Sequence, residues 1–423
     1  MAPHHAGVAR GRPPEGLCRR GGQTVWATQR AGQSRVGFTA DGNRVMILIY
    51  FDNAATTYPK PDAVAQAASM AVRHFGGNPG RSGHDFSMRA GNMVYKTRKK
   101  AAAFFHAETE KVIFTVNCTQ ALNMALKGLL KKGDHVVTSV LEHNSVYRPL
   151  YALAGERGIT VSYAEPGLTE DETVEHFEQL FTPKTSVVVC THASNVSGKI
   201  MPIQKLADLC RKIKAVLVVD AAQSAGVLPI DVFSLGKCVV CTAGHKGLYG
   251  ATGTGLMILG DDVSLSTVLE GGTGSVSNEM QQPDFLPDRF ESGTLNTVGI
   301  FTLSKGLDFV ESRSIGRLYQ HEMSLALLVA DAVRQNKNLR LLDPAFGFGT
   351  HVPVVSFTHA SRESTEIGEQ LNRAGIAVRA GLHCAPLAHR FYGSSANGAV
   401  RLSPGAFNKK SEAEFVAKQV KML

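Results

Sequence analysis

After Met46 the chain repeats one unit: a short, continuous apolar run followed by a longer stretch whose apolar residues recur at helical spacing. KVIFTV, DHVVTSV, TSVVVCTH, AVLVVDAA, KCVVCTAG and GTGLMIL are the apolar runs. Between them, TQALNMALKGLLKKG and PIQKLADLCRKIK read as helices, each ending in basic residues as helix C-termini favour. The alternation predicts βα units around a mostly parallel sheet. From about Lys305 the rhythm changes to a long helical region (LYQHEMSLALLVADAVRQ), a strand (HVPVVSFTH), another helix and the segment GIAVRAGLHCAP, where a smaller α/β domain is expected. With 423 residues the chain is long enough for a large and a small domain, each with its own core.

Several function classes are disfavoured by composition and charge. No apolar run is long enough to span a bilayer. The net charge is +9, but residues 1–45 carry seven arginines against Glu15 and Asp41, so +5 of it lies in that segment. The remaining +4 is spread over a large body with no recognised basic or aromatic module, which argues against nucleic-acid binding. Residues 1–45, rich in Gly, Arg, Pro and Gln and without periodicity, are expected to be a disordered extension, a targeting leader or the product of a start assigned upstream of Met46. Seven scattered cysteines, an odd number with no secretion signal, indicate free thiols in a reducing, cytoplasmic setting. Cys238 and Cys241 form a lone CxxC inside an apolar run and read as buried strand residues, so no metal site is expected.

Two positions carry chemistry together. Lys246, in TAGHKGLYGATGTGL, follows an apolar strand and sits between a histidine and a glycine-rich stretch. Asp220 ends the run AVLVVD, at a strand terminus where ligands of open parallel sheets bind. Alone, the lysine could be a solvated loop residue and the aspartate a helix N-cap. Jointly they are the Schiff-base lysine and pyridine-nitrogen partner that a pyridoxal 5'-phosphate (PLP) site needs.

With these residues in place, the chain resembles the class V aminotransferase group of fold-type I PLP enzymes, and in particular its cysteine desulfurase and selenocysteine lyase branch. The resemblance runs from about Tyr50 to the C-terminus through FDNAATT, NCTQALN, LEHNSVYRP, THASNVSG, VDAAQSAG, GHKGLYG, RFESGTLNT and VRAGLHCAP. It implies a large PLP-binding domain (46–304) with a mostly parallel seven-stranded sheet, whose first helical region packs on a small C-terminal α/β domain (305–423). It also implies that Lys246 carries the cofactor, Asp220 holds the pyridine nitrogen protonated, Gln223 bonds the ring hydroxyl, and His143 stacks on the ring and helps move protons. Asn195 would face the cofactor or the substrate carboxylate. Thr119, at the start of a predicted helix, and His245 would bind the phosphate. Thr294 would reach the phosphate of a partner subunit, which implies a homodimer. The sequence departs from the family at Ala243, three positions before the lysine, where a hydroxyl residue is common; Thr242 stands one place earlier. One lost hydrogen bond to a charged group, about 1.5 to 3 kcal/mol, would weaken the phosphate grip without abolishing it.

The resemblance further implies that Arg401, supported by Arg379, anchors the substrate carboxylate, because a guanidinium grips a carboxylate in a two-pronged way. Either arginine could instead make a surface ion pair. Cys384, following His383 and near Arg379 and His389, matches the sulfur-accepting thiol of the RxGxHC loop, and cationic neighbours would raise its thiolate fraction. The expected activity is conversion of L-cysteine to L-alanine with sulfur left as a Cys384 persulfide and passed to an acceptor. The rivals are a selenocysteine lyase, another class V aminotransferase or lyase, and a non-catalytic protein that keeps the fold. Since the resemblance begins beyond Met46, a protein starting at Met46 is expected to fold and retain its cofactor; loss of soluble protein or of bound cofactor on truncation would overturn this.

Overall fold

The computed structural model describes residues 48–80 and 83–423; the expectation for residues 1–45 lies outside them. A two-residue strand, β1 (Ile49–Tyr50), opens the described chain. The apolar runs then become β2 (Val112–Thr115), β3 (His135–Ser139), β5 (Thr185–Thr191), β6 (Val216–Asp220), β7 (Cys238–Ala243) and β8 (Gly255–Leu259). With β4 (Thr160–Ala164) they form a seven-stranded sheet in the order β2-β8-β7-β6-β5-β3-β4. Every strand runs in one direction except β8, which is antiparallel to both neighbours. The strand of this sheet absent from the sequence reading is β4, an edge strand whose residues are mostly exposed or half-buried and so lack a continuous apolar run.

Alternation along each strand divides the core into two layers. Val216 and Val218 join Val187, Val189 and Val239 on one face, under Leu122 and Leu126 of the helix Cys118–Leu129 and Leu150 and Leu153 of the helix Asn144–Arg157. Leu217 and Val219 join Val188 and Val240 on the other, under Leu206 of the helix Ile203–Ile213 and Leu303 and Leu307 of the helix Thr297–Arg313. Cys238 and Cys241 are both fully buried but belong to opposite layers, as a spacing of three in a strand requires. Their thiols cannot form a pair, and the CxxC is a strand feature.

The change of rhythm near Lys305 falls inside the helix Thr297–Arg313, so the chain enters its C-terminal elements through continuous helix. After the helix Ile315–Gln335, strands β9 (Leu339–Leu341), β10 (Val355–His359), β12 (Arg379–Gly381) and β13 (Ala399–Leu402) make an antiparallel sheet in the order β12-β13-β10-β9. The short β11 (Ile376–Ala377) pairs in parallel with β1. Ile49 and Phe51 thereby enter a core made with Val329, Val333, Phe357, Val400 and Val416, from the other end of the chain. The pairing places Asp52 beside β13, where Arg379 and Arg401 are register partners across β12 and β13. Among the described residues no helix is long and apolar enough to cross a membrane.

A buried polar knot joins the turn after Lys246 to the C-terminal elements. The Tyr249 hydroxyl donates to Glu322 Oε1 (3.2 Å) and accepts from the Ala406 N–H (3.0 Å). Burial pushes the Glu322 carboxyl up from 4.5 to about 8. The folded chain thus holds a proton that the unfolded chain releases, so this site's stabilisation is complete below pH 4.5 and is lost as pH rises towards 8, by roughly 1.4 kcal/mol per unit. Glu322→Gln keeps the acceptor for Tyr249 without the titration. Thermal melts of this variant should match wild type near pH 5 and exceed it near pH 8; an equal shift at both values would show that Glu322 does not titrate as described.

Candidate active site

In a parallel sheet the loops at the carboxyl ends of the strands converge, and here those of β3, β5, β6 and β7 do so around one lysine. Asp220, the last residue of β6, is 4% exposed. Its Oδ1 accepts from the Ala222 N–H (2.9 Å) and the Cys118 thiol (3.4 Å), while Oδ2 has no donor among the described residues. Lys246 lies three residues beyond β7, in a turn closed by the Tyr249 N–H on its carbonyl (2.8 Å). The turn can form because Gly226 (φ +82°) and Gly247 let two backbones touch: a Cβ on Gly226 would stand 2.2 Å from the Gly247 carbonyl oxygen. The Lys246 amine has no hydrogen-bond partner among the described residues. Burial lowers its pKa and the nearby Asp220 carboxylate pulls it back, so the two groups face each other electrostatically.

Beside them, His143 caps the helix Asn144–Arg157. Its Nδ1 accepts from the Ser145 N–H (3.1 Å), which leaves the proton on Nε2. Burial lowers the His143 pKa, against the opposing pull of Asp220, so the ring is neutral. The Ser145 hydroxyl bonds both His143 Nδ1 (2.8 Å) and Thr119 Oγ1 (2.7 Å). Thr119 sits in the first turn of the helix Cys118–Leu129, where Asn117 accepts the Gln120 N–H (2.8 Å) and the N–H groups of Cys118 and Thr119 have no acceptor among the described residues. His245 Nδ1 bonds Thr56 Oγ1 (3.1 Å), and burial, Lys246 and Lys60 push its pKa down to about 4. Gln223 is buried and donates to the Ala54 carbonyl (2.9 Å).

The C-terminal elements close the site from the other side. Arg401, on β13, is 1% exposed and bonds Asp52 Oδ1 and the Asn195 carbonyl, each at 2.9 Å, while its buried Nε has no acceptor among the described residues. Asn195 Nδ2 donates to the His383 carbonyl (2.7 Å), so its amide nitrogen holds a loop rather than standing open. Cys384 is exposed, its carbonyl accepts from the Asn144 N–H (2.7 Å), and Arg379 Nη2 lies 3.7 Å from its sulfur. The neighbouring histidines differ from the expectation of cationic neighbours. His383 and His389 are buried and bonded to each other (3.1 Å), and burial holds them at about 2 and about 4, hence neutral.

The structure thus brings Lys246, Asp220 and His143 together, with Thr119, Gln223 and His245 on adjoining loops and Asn195, Arg401, Arg379 and Cys384 across from them. Thr294 is not part of this network; it is exposed and accepts from Asn78 (3.4 Å). Thr242 does not stand in for the hydroxyl absent at Ala243, because its own hydroxyl is buried against the Ala221 carbonyl (3.3 Å). Three site residues escaped the sequence reading. Asp52 lies within the FDNAATT motif but was not separable there from its neighbours. Cys118, in NCTQALN, looks like an ordinary buried thiol. Glu142 accepts from Ser139 (2.6 Å) and from the Thr191 N–H (2.8 Å), tying β3 to β5 behind His143, and burial lifts it to about 8.

The chain is similar to several known proteins. A probable cysteine desulfurase of Pyrococcus abyssi is 31% identical over 382 residues, covering 87% of this chain and 92% of that protein. One of Methanothermobacter thermautotrophicus is 30% identical over 384 residues, covering 87% and 92%. Among solved structures, the apo cysteine desulfurase of Thermococcus onnurineus superposes with a TM-score of 0.82 at 29% identity, covering 89% of this chain and 94% of that one. An Escherichia coli cysteine desulfurase in an S-sulfonic acid form gives 0.78 at 26% identity, again covering 89% and 94%. Residues 49–416 match the family described as Aminotransferase class-V, and the chain belongs to that family.

Proposed function

We propose that the protein is a PLP-dependent cysteine desulfurase that moves the sulfur of L-cysteine to Cys384 and releases L-alanine. The observation that carries this reading is an exposed thiol on a loop tied to the residue next to His143 and beside Arg379, whose charge also reaches the buried Lys246 amine, itself without a hydrogen-bond partner among the described residues.

The donor set suits the cofactor. An unbonded lysine amine, a carboxylate oxygen without a donor, and a helix N-terminus with open N–H groups and two hydroxyls match an aldehyde, a ring nitrogen and a phosphate respectively. Lys246 would carry the cofactor, Asp220 Oδ2 would hold the ring nitrogen's proton, and His143 would lie against the ring. Gln223 Oε1 would accept from the ring hydroxyl. Thr119, Ser145 and His245 would receive the phosphate, joined by Thr294 of a second copy in a homodimer. Bound PLP supplies an electron-withdrawing ring that makes the α-proton of the substrate acidic.

The chain's own groups do the rest. Lys246, pushed towards its neutral form by burial, takes the α-proton. Arg401 and Arg379 present guanidinium groups to the substrate carboxylate, Arg401 sharing its charge with Asp52. The Cys384 sulfur attacks the substrate sulfur; an S–S bond forms, the C–S bond breaks, the electron pair passes to the substrate's β-carbon, which is protonated to the methyl group of alanine, and Lys246 returns a proton to the α-carbon. The persulfide sulfur then passes to an acceptor.

Lys246→Ala should leave the melting temperature close to wild type and reduce alanine formation from L-cysteine to background, with Asp220→Ala nearly as damaging; a Lys246→Ala rate within roughly tenfold of wild type would overturn the site assignment. Cys384→Ser should keep the absorbance response of the bound cofactor to L-cysteine and lose nearly all alanine production. Mass spectrometry of wild-type protein after brief exposure to L-cysteine should find added sulfur on the peptide containing Cys384. No adduct, together with full activity of Cys384→Ser, would leave a class V enzyme of another specificity.

A further inference from the structure

The loop that presents Cys384 is strained. His383 (φ 49°) and Cys384 (φ 57°) lie in succession in the left-handed region, which residues with a Cβ enter only when their surroundings hold them there. Two backbone anchors are evident: the His383 carbonyl on Asn195 Nδ2 and the Cys384 carbonyl on the Asn144 N–H, both at 2.7 Å. A third anchor runs beneath the loop through side chains. His383 Nε2 lies 3.4 Å from the Arg379 carbonyl, His383 Nδ1 lies 3.1 Å from His389 Nε2, and His389 Nδ1 lies 2.7 Å from Ser394 Oγ. The two imidazoles lie edge to edge, their centroids 5.3 Å apart with 16° between their planes, and both histidines and Ser394 are buried.

The Arg379 carbonyl sets the direction of the protons in this chain, and the Ser394 hydroxyl, which also lies 3.4 Å from the His389 carbonyl, turns to the shorter contact at His389 Nδ1. A carbonyl only accepts, so His383 Nε2 carries its proton and His383 Nδ1 must accept. His389 Nε2 therefore donates, His389 Nδ1 accepts, and the Ser394 hydroxyl donates to it. Each ring is neutral, in keeping with its burial. The chain starts at Ser394, beyond the helix Pro386–Phe391, and ends on the backbone of Arg379, whose guanidinium stands beside the Cys384 sulfur. It holds the backbone on both sides of that contact: at His383, the residue preceding Cys384, by its ring, and at Arg379 by its carbonyl.

We infer that His389 and Ser394 are positioning residues for sulfur transfer, holding the Cys384 loop in its left-handed conformation through His383. The inference rests on the desulfurase reading proposed above. Both residues are buried and their side chains bond His383 and each other, so the steps before sulfur transfer should not depend on them.

The test compares His389→Leu, which removes the donor to His383, with His389→Gln, whose side-chain amide nitrogen can take the place of Nε2. Holoenzyme is mixed with L-cysteine, and two events are timed: the absorbance change of the cofactor, and the appearance of sulfur on the Cys384 peptide by mass spectrometry. In His389→Leu the first should stay within about twofold of wild type and the second should slow by on the order of tenfold or more, as displacement of a reacting atom does. His389→Gln should recover most of the loss. In cofactor-free protein, hydrogen exchange of the segment 379–386 should accelerate in His389→Leu and not in His389→Gln. If His389→Leu does not fold, Ser394→Ala takes its place and should show the same split to a smaller degree. Sulfur transfer at the wild-type rate in the folded variant, or an equal slowing of both events without recovery in His389→Gln, would overturn the inference. If wild-type Cys384 acquires no sulfur, the desulfurase reading fails instead, and the exchange measurement still decides whether His389 holds the loop.

Discussion

Lys246 and Asp220 face each other across the ends of two adjacent strands, and much of the molecule is arranged to keep them there. An amine without a hydrogen-bond partner in a buried place is costly, and the carboxylate that offsets the cost is aimed by its own bonds to Ala222 and Cys118. Strand pairing sets the spacing: Asp220 is in register with Thr191 on one side and Cys241 on the other. The contact between the backbones at Gly226 and Gly247 then brings the lysine turn down onto the loop that follows Asp220. Valine-rich strands buried on both faces make this frame stiff, so the site's precision comes from the sheet and its chemistry from the loops.

What could be read in the sequence follows from how local each feature is. β6 and β7 are continuous apolar runs, and a charged residue at or just beyond the end of such a run declares a strand terminus; Asp220 and Lys246 were legible for that reason. β4 was not, because an edge strand buries too little for its pattern to stand out. Asp52 finds its partner 349 positions away, a relation that no local pattern contains. His383 and His389 show the limit of reading charge from proximity. In sequence they look like cations near a thiol, but burial makes them neutral and turns them towards each other.

The Cys384 loop gathers its anchors from widely separated parts of the chain. Asn144 comes from the start of the helix after β3, Asn195 from the loop after β5, and His389 and Ser394 from the segment that follows the loop itself. An exposed thiol is thus carried on a backbone held from three directions, which suits the sulfur transfer proposed for it. Asn195 has a double part, since its carbonyl receives Arg401 while its amide holds His383.

The parallel pairing of β1 with β11 has a bearing on how the chain is made. Ile49 leaves the ribosome more than three hundred residues before Ile376, the residue it must pair with. Until then the strand partner of Ile49 is missing, and the core that Ile49 and Phe51 share with Val400 and Val416 cannot be completed. The C-terminal elements are therefore not a module that could be excised or grafted by cutting the chain once, because their first strand lies at the opposite end. Closure of so long a loop places this pairing among the late events of folding, and the Asp52–Arg401 contact, which spans a loop of similar length, belongs with it.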